Sequence, residues 1–422
     1  MTNSVSPSRY LFPLVLIVSL FFLWGVANNL NDILIAQFKK IFLLSDFQSG
    51  LVQSAFYFGY FCLSIPAAIA MQRFGYKTAV ITGLLLYGSG ALLFYPAASA
   101  QEYNYFLVAL FVIASGLAFL ETSANPLIIA MGDPATAERR LNLAQSFNPL
   151  GAISGILIGR EFILSGIEHS DMDRAAMMPT ELAAYTQEEI QAVQGPYLVI
   201  AAVVLTWAIL VLITRFPGVA QKPPLTDSMS KMLKHFPELF RHKYFLFGVI
   251  AQFFYVGAQV GIWSYMIRYG QHALPAAGEK SLAAWLTWSL IAFMAGRFIA
   301  TALMHKINPA KLMTVFSLAN VVLCGIAIVI PNKIGFFALA SSSFFMSLMF
   351  PTIFALSLKN LGTLTKAGSA FLVMAIIGGA VLTATMGLIS DVSEINFAMT
   401  VPLLSFIIIA WFAKRGMTKT ET

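Results

Sequence analysis

Twelve apolar runs, each closed by a polar break, recur along the chain. Each is about 20 residues or longer, and in hydrocarbon such a run has one stable backbone solution, the helix, which satisfies its own N–H and C=O groups. The runs fall near 11–38, 47–71, 78–99, 105–131, 141–165, 196–214, 244–269, 281–304, 311–331, 334–358, 369–390 and 396–413. Only 11% of the residues are charged and 58% are hydrophobic, whereas soluble domains carry about 25% charged residues. The expectation is an all-α polytopic membrane protein with twelve transmembrane helices. The leading MTNSVSPSRY runs straight into a full-length span, which suits a retained first helix better than a cleaved signal.

Basic residues choose the orientation. With the N-terminus inside, 18 of the 26 Lys and Arg residues fall in inner segments, among them Arg73, Lys77, Arg139, Arg140, Lys306, Lys311, Lys359 and Lys366. Such a bias is expected of a multi-pass chain with both termini in the cytoplasm. The net charge of +7 is thereby explained by lipid-facing topology, and no nucleic-acid partner is implied. Cys62 and Cys324 lie in separate apolar runs and suggest neither a disulfide framework nor a metal knuckle.

The chain divides into residues 1–215, a linker at 216–243, and residues 244–422, six spans on each side. The linker ends in SMSKMLKHFPELFRHKYF, which reads as a basic amphipathic helix on the anionic inner leaflet or as a plain solvated connection. An outer loop, Gly166 to Gly195, is acidic. The halves echo one another: AMQRFGYK at 70–77 matches ALMHKINPAK at 302–311, and Pro126 in span 4 matches Pro351 in span 10. Repetition of this kind is typical of transporters, with both prolines expected to break their helices near mid-membrane.

Chemistry concentrates in span 1, whose stretch FFLWGVANNLND holds Trp24, Asn28, Asn31 and Asp32 on one helical stripe. A carboxylate in hydrocarbon costs roughly 2.5–3.5 kcal/mol even on lenient scales, so it faces protein or water. Asp32 and Glu121 are the deep acids, the remainder falling at span ends or in loops; no histidine lies deep. They are therefore the candidates for carrying a proton, since a carboxyl shielded from water exchanges protons nearer neutrality. Helical rise separates them by roughly 15 Å along the membrane normal, Asp32 lying nearer the outside. The other polar residues are amides: Asn28, Asn29, Asn125, Gln145, Asn148, Gln252 and Gln259, the last two sharing a face of span 7 with Trp263. Amides both donate and accept, and indoles offer flat faces, which together suit a sugar. Packing is the rival reading of any aromatic stripe. Arg297 in span 8 is a buried cation, read first as a structural contact.

The motifs FFLWGVANNLND (21–32), QSAFYFGYF (53–61), LETSANP (120–126), RLNLAQSFN (140–148), QFFYVGAQVGIWSYMIRY (252–269), GRF (296–298) and FPTIFALSLKNLG (350–362) resemble those of the fucose–galactose–glucose:proton symporters, the bacterial L-fucose symporters among them, within the major facilitator superfamily. The resemblance implies two six-helix bundles around a central cavity and alternating access driven by protons. It assigns proton coupling to Asp32 and Glu121, and sugar contact to Trp24, Asn29, Gln145 and Asn148. Two positions depart from the pattern. Gln72 stands where the superfamily usually has an aspartate, so an inner-gate salt bridge there is not expected, and Pro149 directly follows Asn148. The substrate expected is a hexose or deoxyhexose, such as fucose, galactose or glucose.

The expectation is a monomeric secondary transporter, without cofactor, that imports a neutral monosaccharide with H⁺. Na⁺ is the alternative ion, because Asp32 with neighbouring amide oxygens is also a hard ligand set. A proton-coupled drug exporter on the same fold and a membrane-bound sugar sensor are the rivals. No phosphate loop, paired-Cys spacing or nucleophile elbow supports an enzyme.

Overall fold

The computed structural model describes residues 11–42, 46–162, 177–216 and 236–418. Among the described residues all regular structure is helical. In chain order these are α1 (Leu11–Ile41), α2 (Asp46–Phe74), α3 (Tyr76–Leu92), α4 (Phe94–Ala100), α5 (Tyr103–Ala130), α6 (Ala137–Gln145), α7 (Phe147–Phe162) and α8 (Pro179–Ile213). The second half supplies α9 (Lys243–Ala273), α10 (Glu279–Leu303), α11 (Pro309–Val329), α12 (Lys333–Met346), α13 (Met349–Leu358), α14 (Thr365–Met374), α15 (Gly378–Val392) and α16 (Thr400–Thr418). The pairs α3–α4, α6–α7, α12–α13 and α14–α15 each run on as one crossing, which gives twelve. Among the described residues, ten crossings are long and apolar enough to span a membrane by composition alone.

Within each half, helices meet where small residues let backbones approach. α1 packs on α7, and a Cβ at Gly151 would run into the Phe22 carbonyl. That contact carries Asn148, three residues earlier, to the side of α1 that holds Trp24 and Asn29.

Three expectations need correction. Pro126 does not break its helix, because α5 is continuous from Tyr103 to Ala130. The breaks lie at Ser146 and at Ser347–Leu348, and each is followed by a proline as third helical residue, Pro149 in α7 and Pro351 in α13. Proline is tolerated in a first turn because its missing N–H has no intrahelical partner to lose. The acidic loop is shorter than Gly166–Gly195, since α8 starts at Pro179. Pro179 opens that helix, and Glu181 accepts from the Met178 backbone N–H at 3.2 Å, a charge well placed on the helix dipole. Finally, Glu138 and Glu189 are buried rather than loop-exposed. Of the expected amphipathic linker helix, residues 228–235 lie outside the described residues; in the remainder, residues 236–239 form one helical turn and the chain turns at 240–242 before α9 begins at Lys243, so this part is not one continuous helix.

The two halves touch at the end of the bundle that carries the basic residues. Glu138 pairs with Lys359 at 3.7 Å, Lys366 Nζ donates to the Met71 carbonyl at 3.3 Å, and Arg139 Nη1 lies 2.9 Å from His305 Nδ1. Deeper, Asn142 Nδ2 donates to Thr352 Oγ1 at 3.0 Å. Gln72 is buried there with neither amide atom partnered. Contacts between the halves at this end therefore use other residues than the Gln72 position.

Candidate functional site

Above those contacts a cavity of about 250 Å³ lies between the halves. Its first-half wall comes from α1 (Phe21, Trp24, Asn29), α2 (Phe56, Tyr57, Tyr60), α5 (Glu121), α6 (Gln145) and α7 (Asn148, Pro149, Ala152, Ile153). The opposite wall holds Val256, Gln259, Val260, Trp263 and Ser264 of α9, with Leu290, Phe293 and Arg297 of α10 and Phe350 of α13. Residues far apart in sequence meet here because the crossings concerned turn polar side chains inward, where hydrocarbon cannot reach them.

The amides are held by backbone and by each other. Asn29 Nδ2 donates to Gly25 O at 3.2 Å, one turn back on α1. Asn148 Nδ2 donates to Phe21 O at 3.3 Å across the α1–α7 contact. Gln145 Nε2 donates to Asn125 Oδ1 at 2.9 Å, and Asn125 Nδ2 donates to Glu121 O at 3.1 Å. Asn29, Gln145 and Asn148 thus each spend one N–H on the protein and keep a carbonyl oxygen and the other N–H for a ligand. Both indoles are fixed as well. Trp24 Nε1 donates to Tyr60 Oη at 3.0 Å, and its ring stacks on Phe21 at 5.2 Å. Trp263 Nε1 donates to Ser343 Oγ at 3.0 Å, with the Phe293 ring edge-on at 5.1 Å. What the indoles offer a ligand is their π-face. Glu121 is 5% exposed, and its Oε2 is buried with no hydrogen-bond partner.

Of the residues singled out from sequence, Trp24, Asn29, Glu121, Gln145, Asn148, Gln259 and Trp263 line this cavity together. Asn125 does not; it is fully buried behind Gln145 and orients that side chain. Gln252 does not either, although it shares a helical face with Gln259: it is fully buried, and both amide atoms lack partners. The side chains of Asn28 and Asp32 lie outside the described residues, while their backbones belong to α1. Sequence reasoning missed Tyr57, Tyr60 and Phe293, and read Arg297 only as structural. The aromatic run FYFGY in α2 signalled rings at one helical face, but nothing in spacing shows that Tyr60 meets Trp24.

The sequence pattern of the Major Facilitator Superfamily matches residues 14–384. The chain belongs to that superfamily. Within it, the chain is 44% identical to the L-fucose-proton symporter of Escherichia coli (strain K12), over 98% of this chain and 95% of that one. It is 33% identical to the glucose/galactose transporter of Brucella abortus, over 98% of this chain and 96% of that one. The crystal structure of the superfamily transporter FucP in the outward conformation superimposes with a TM-score of 0.88 at 44% identity, covering 97% of this chain and 99% of that one. The proton:xylose symporter XylE, at 12% identity and a TM-score of 0.68, shares the fold. In the superfamily's two-bundle arrangement, α1–α8 and α9–α16 contribute six crossings each, and the cavity lies on the seam between them.

Proposed function

We propose that the protein is a secondary active importer of a neutral monosaccharide, driven by proton symport and working by alternating access. The observation that carries this reading is the seam cavity, in which two indole faces, amide groups and one carboxyl from both bundles converge. Its volume of about 250 Å³ lies just under the range of about 300–1,000 Å³ typical of drug-sized ligands. That size matches a hexose or deoxyhexose and argues against a drug exporter. The similarity to an L-fucose-proton symporter and to glucose/galactose transporters supports the same substrate class.

Each group has a task. Trp24 and Trp263 stack on the apolar C–H faces of the ring, while Asn29, Gln145, Asn148 and Gln259 exchange hydrogen bonds with its hydroxyls. Glu121 holds a proton beside the sugar: a buried carboxyl oxygen without a donor is a costly place for negative charge. Asp32, further along α1, exchanges that proton with the outer side. The basic end of the bundle faces the cytoplasm, as do both termini, in a bacterial inner membrane, and the molecule works as a monomer in lipid. The contacts between halves at that end then make this the outward-facing state. Uptake of a monosaccharide panel into vesicles under an imposed pH or Na⁺ gradient tests the reading. Accumulation of a hexose or deoxyhexose driven by pH supports it; accumulation driven only by Na⁺ replaces the coupling ion, and no sugar uptake at all overturns it.

A further inference from the structure

We propose that Arg297 is the latch that holds the cytoplasmic side shut, by joining the broken crossing of one bundle to the broken crossing of the other at the wall of the sugar cavity. The proposal rests on alternating access and adds a role for a residue to which the transport reading gives none.

Arg297 is 3% exposed and lies on α10. Its Nε donates to the Ser347 carbonyl at 2.6 Å, and its Nη1 donates to the Gln145 carbonyl at 2.9 Å. Ser347 is the break between α12 and α13, in its own half; Gln145 ends α6 at the break before α7, in the other half. Terminal helix carbonyls lack intrahelical donors and carry partial negative charge, so a guanidinium is the group they call for. The geometry is built for it. α10 approaches the second break so closely that a Cβ at Gly296 would meet the Phe344 carbonyl at 2.5 Å and Ser347 Oγ at 2.8 Å. The guanidinium also lies 4.6 Å from the centre of the Phe293 ring, and the Tyr255 hydroxyl takes the neighbouring carbonyl of Met346 at 3.1 Å.

The two bonds differ in what opening would do to them. The bond to Ser347 stays within one bundle and survives when the bundles separate. The bond to Gln145 spans the seam and must break. Gln145 also lines the cavity and is tied through Asn125 to the turn of α5 that carries Glu121. The latch therefore pulls on a proposed sugar contact, and a sugar that moves Gln145 moves the latch. Lysine cannot replace it fully, because an ammonium lacks the planar fork that serves two fixed acceptors at once.

The test needs no substrate, so it stands apart from whether sugar is carried. In a background with Cys62→Ser and Cys324→Ala, Ala152→Cys places a thiol in the cavity wall. Its labelling by a membrane-impermeant maleimide is timed in right-side-out and in inside-out vesicles. With Arg297 present, labelling is faster from the outer face. Arg297→Met should shift the outer-to-inner rate ratio toward the inside by about tenfold, the order expected for one hydrogen bond to a charged group, and Arg297→Lys should shift it part of the way. An unchanged ratio in both variants overturns the proposal. Should Arg297→Met fail to fold, Arg297→Lys decides: a shifted ratio supports the latch, and the unsubstituted ratio overturns it.

Discussion

The indole N–H of Trp24 donates to the phenolic oxygen of Tyr60 at 3.0 Å, from α1 to α2, with both side chains buried. Trp263 repeats the arrangement in the other half through Ser343. In each case the strongest polar handle of the indole is used to fix the ring, and the face is what remains for a ligand. A sugar bound here gains hydrogen bonds from amides and contact area from tryptophans, two tasks on different residues.

That division can be measured. Trp24→Phe keeps a flat face and should weaken sugar binding less than Trp24→Ala does, while Tyr60→Phe keeps the ring in the cavity wall, removes the acceptor that fixes the indole and should weaken binding. Alanine at Trp24, Asn29, Gln145 or Asn148 should each cost about 1–3 kcal/mol of affinity, the range for a lost buried hydrogen bond or stacking face. Titration calorimetry on the purified variants gives the answer. Wild-type affinity across all four would move the sugar site elsewhere.

The α1–α7 contact predicts a contrast between neighbouring positions. Gly151→Val drives a branched side chain into the Phe22 carbonyl, which cannot move without unseating α1, so overpacking costs of about 1–3 kcal/mol or more are expected. Pro149→Ala, two residues away in the first turn of α7, removes no hydrogen bond and restores a good helix former. Thermal unfolding in detergent should show a clear loss for the first and little change for the second; equal loss would mean that Pro149 fixes the break rather than merely tolerating it.

Much of this was legible in sequence because hydrocarbon enforces simple rules. Helix positions follow from apolar runs, and the inward stripes follow from where Asn29, Glu121, Gln145 and Asn148 could survive. Helical phase alone, however, could not separate Gln252 from Gln259. The two share a face of α9, but that face runs past the end of the cavity, so Gln252 is packed away while Gln259 lines the wall. The break sites were misread for a similar reason: proline marks a helix that cannot continue backward, and in α7 and α13 it follows the break instead of causing it. Arg297 was unreadable in principle, since its partners are main-chain carbonyls 152 and 50 residues distant.

Asp32 lies further along α1 than Trp24 and Asn29, which is toward the outer side in the proposed orientation. Asp32→Asn keeps the volume and removes the titration, so the protein should fold, bind sugar and fail to concentrate it. Uptake against a gradient, compared with sugar binding in the same preparation, checks this. Concentrative uptake at the unsubstituted rate would remove Asp32 from the proton path.

Glu121 makes the sharper case because its carboxyl shares the cavity with the proposed sugar contacts. If protonation of Glu121 favours sugar binding, reciprocity requires that sugar binding favour protonation by the same factor. Affinity is then full on the acid side of the carboxyl's titration and falls as pH rises through it, since the ionised form binds the sugar less well. Glu121→Gln fixes the neutral form. Its sugar affinity should hold near the acid-side value from pH 5 to pH 9, without the fall. Exchange of labelled for unlabelled sugar needs no net proton movement and should persist in this variant, at least in part. Accumulation driven by a pH gradient should be lost. Measuring affinity across that pH range, with counterflow and uptake on the same vesicles, separates coupling from helix packing: a Glu121→Gln protein that retains the full pH dependence would show that the proton is carried by another group.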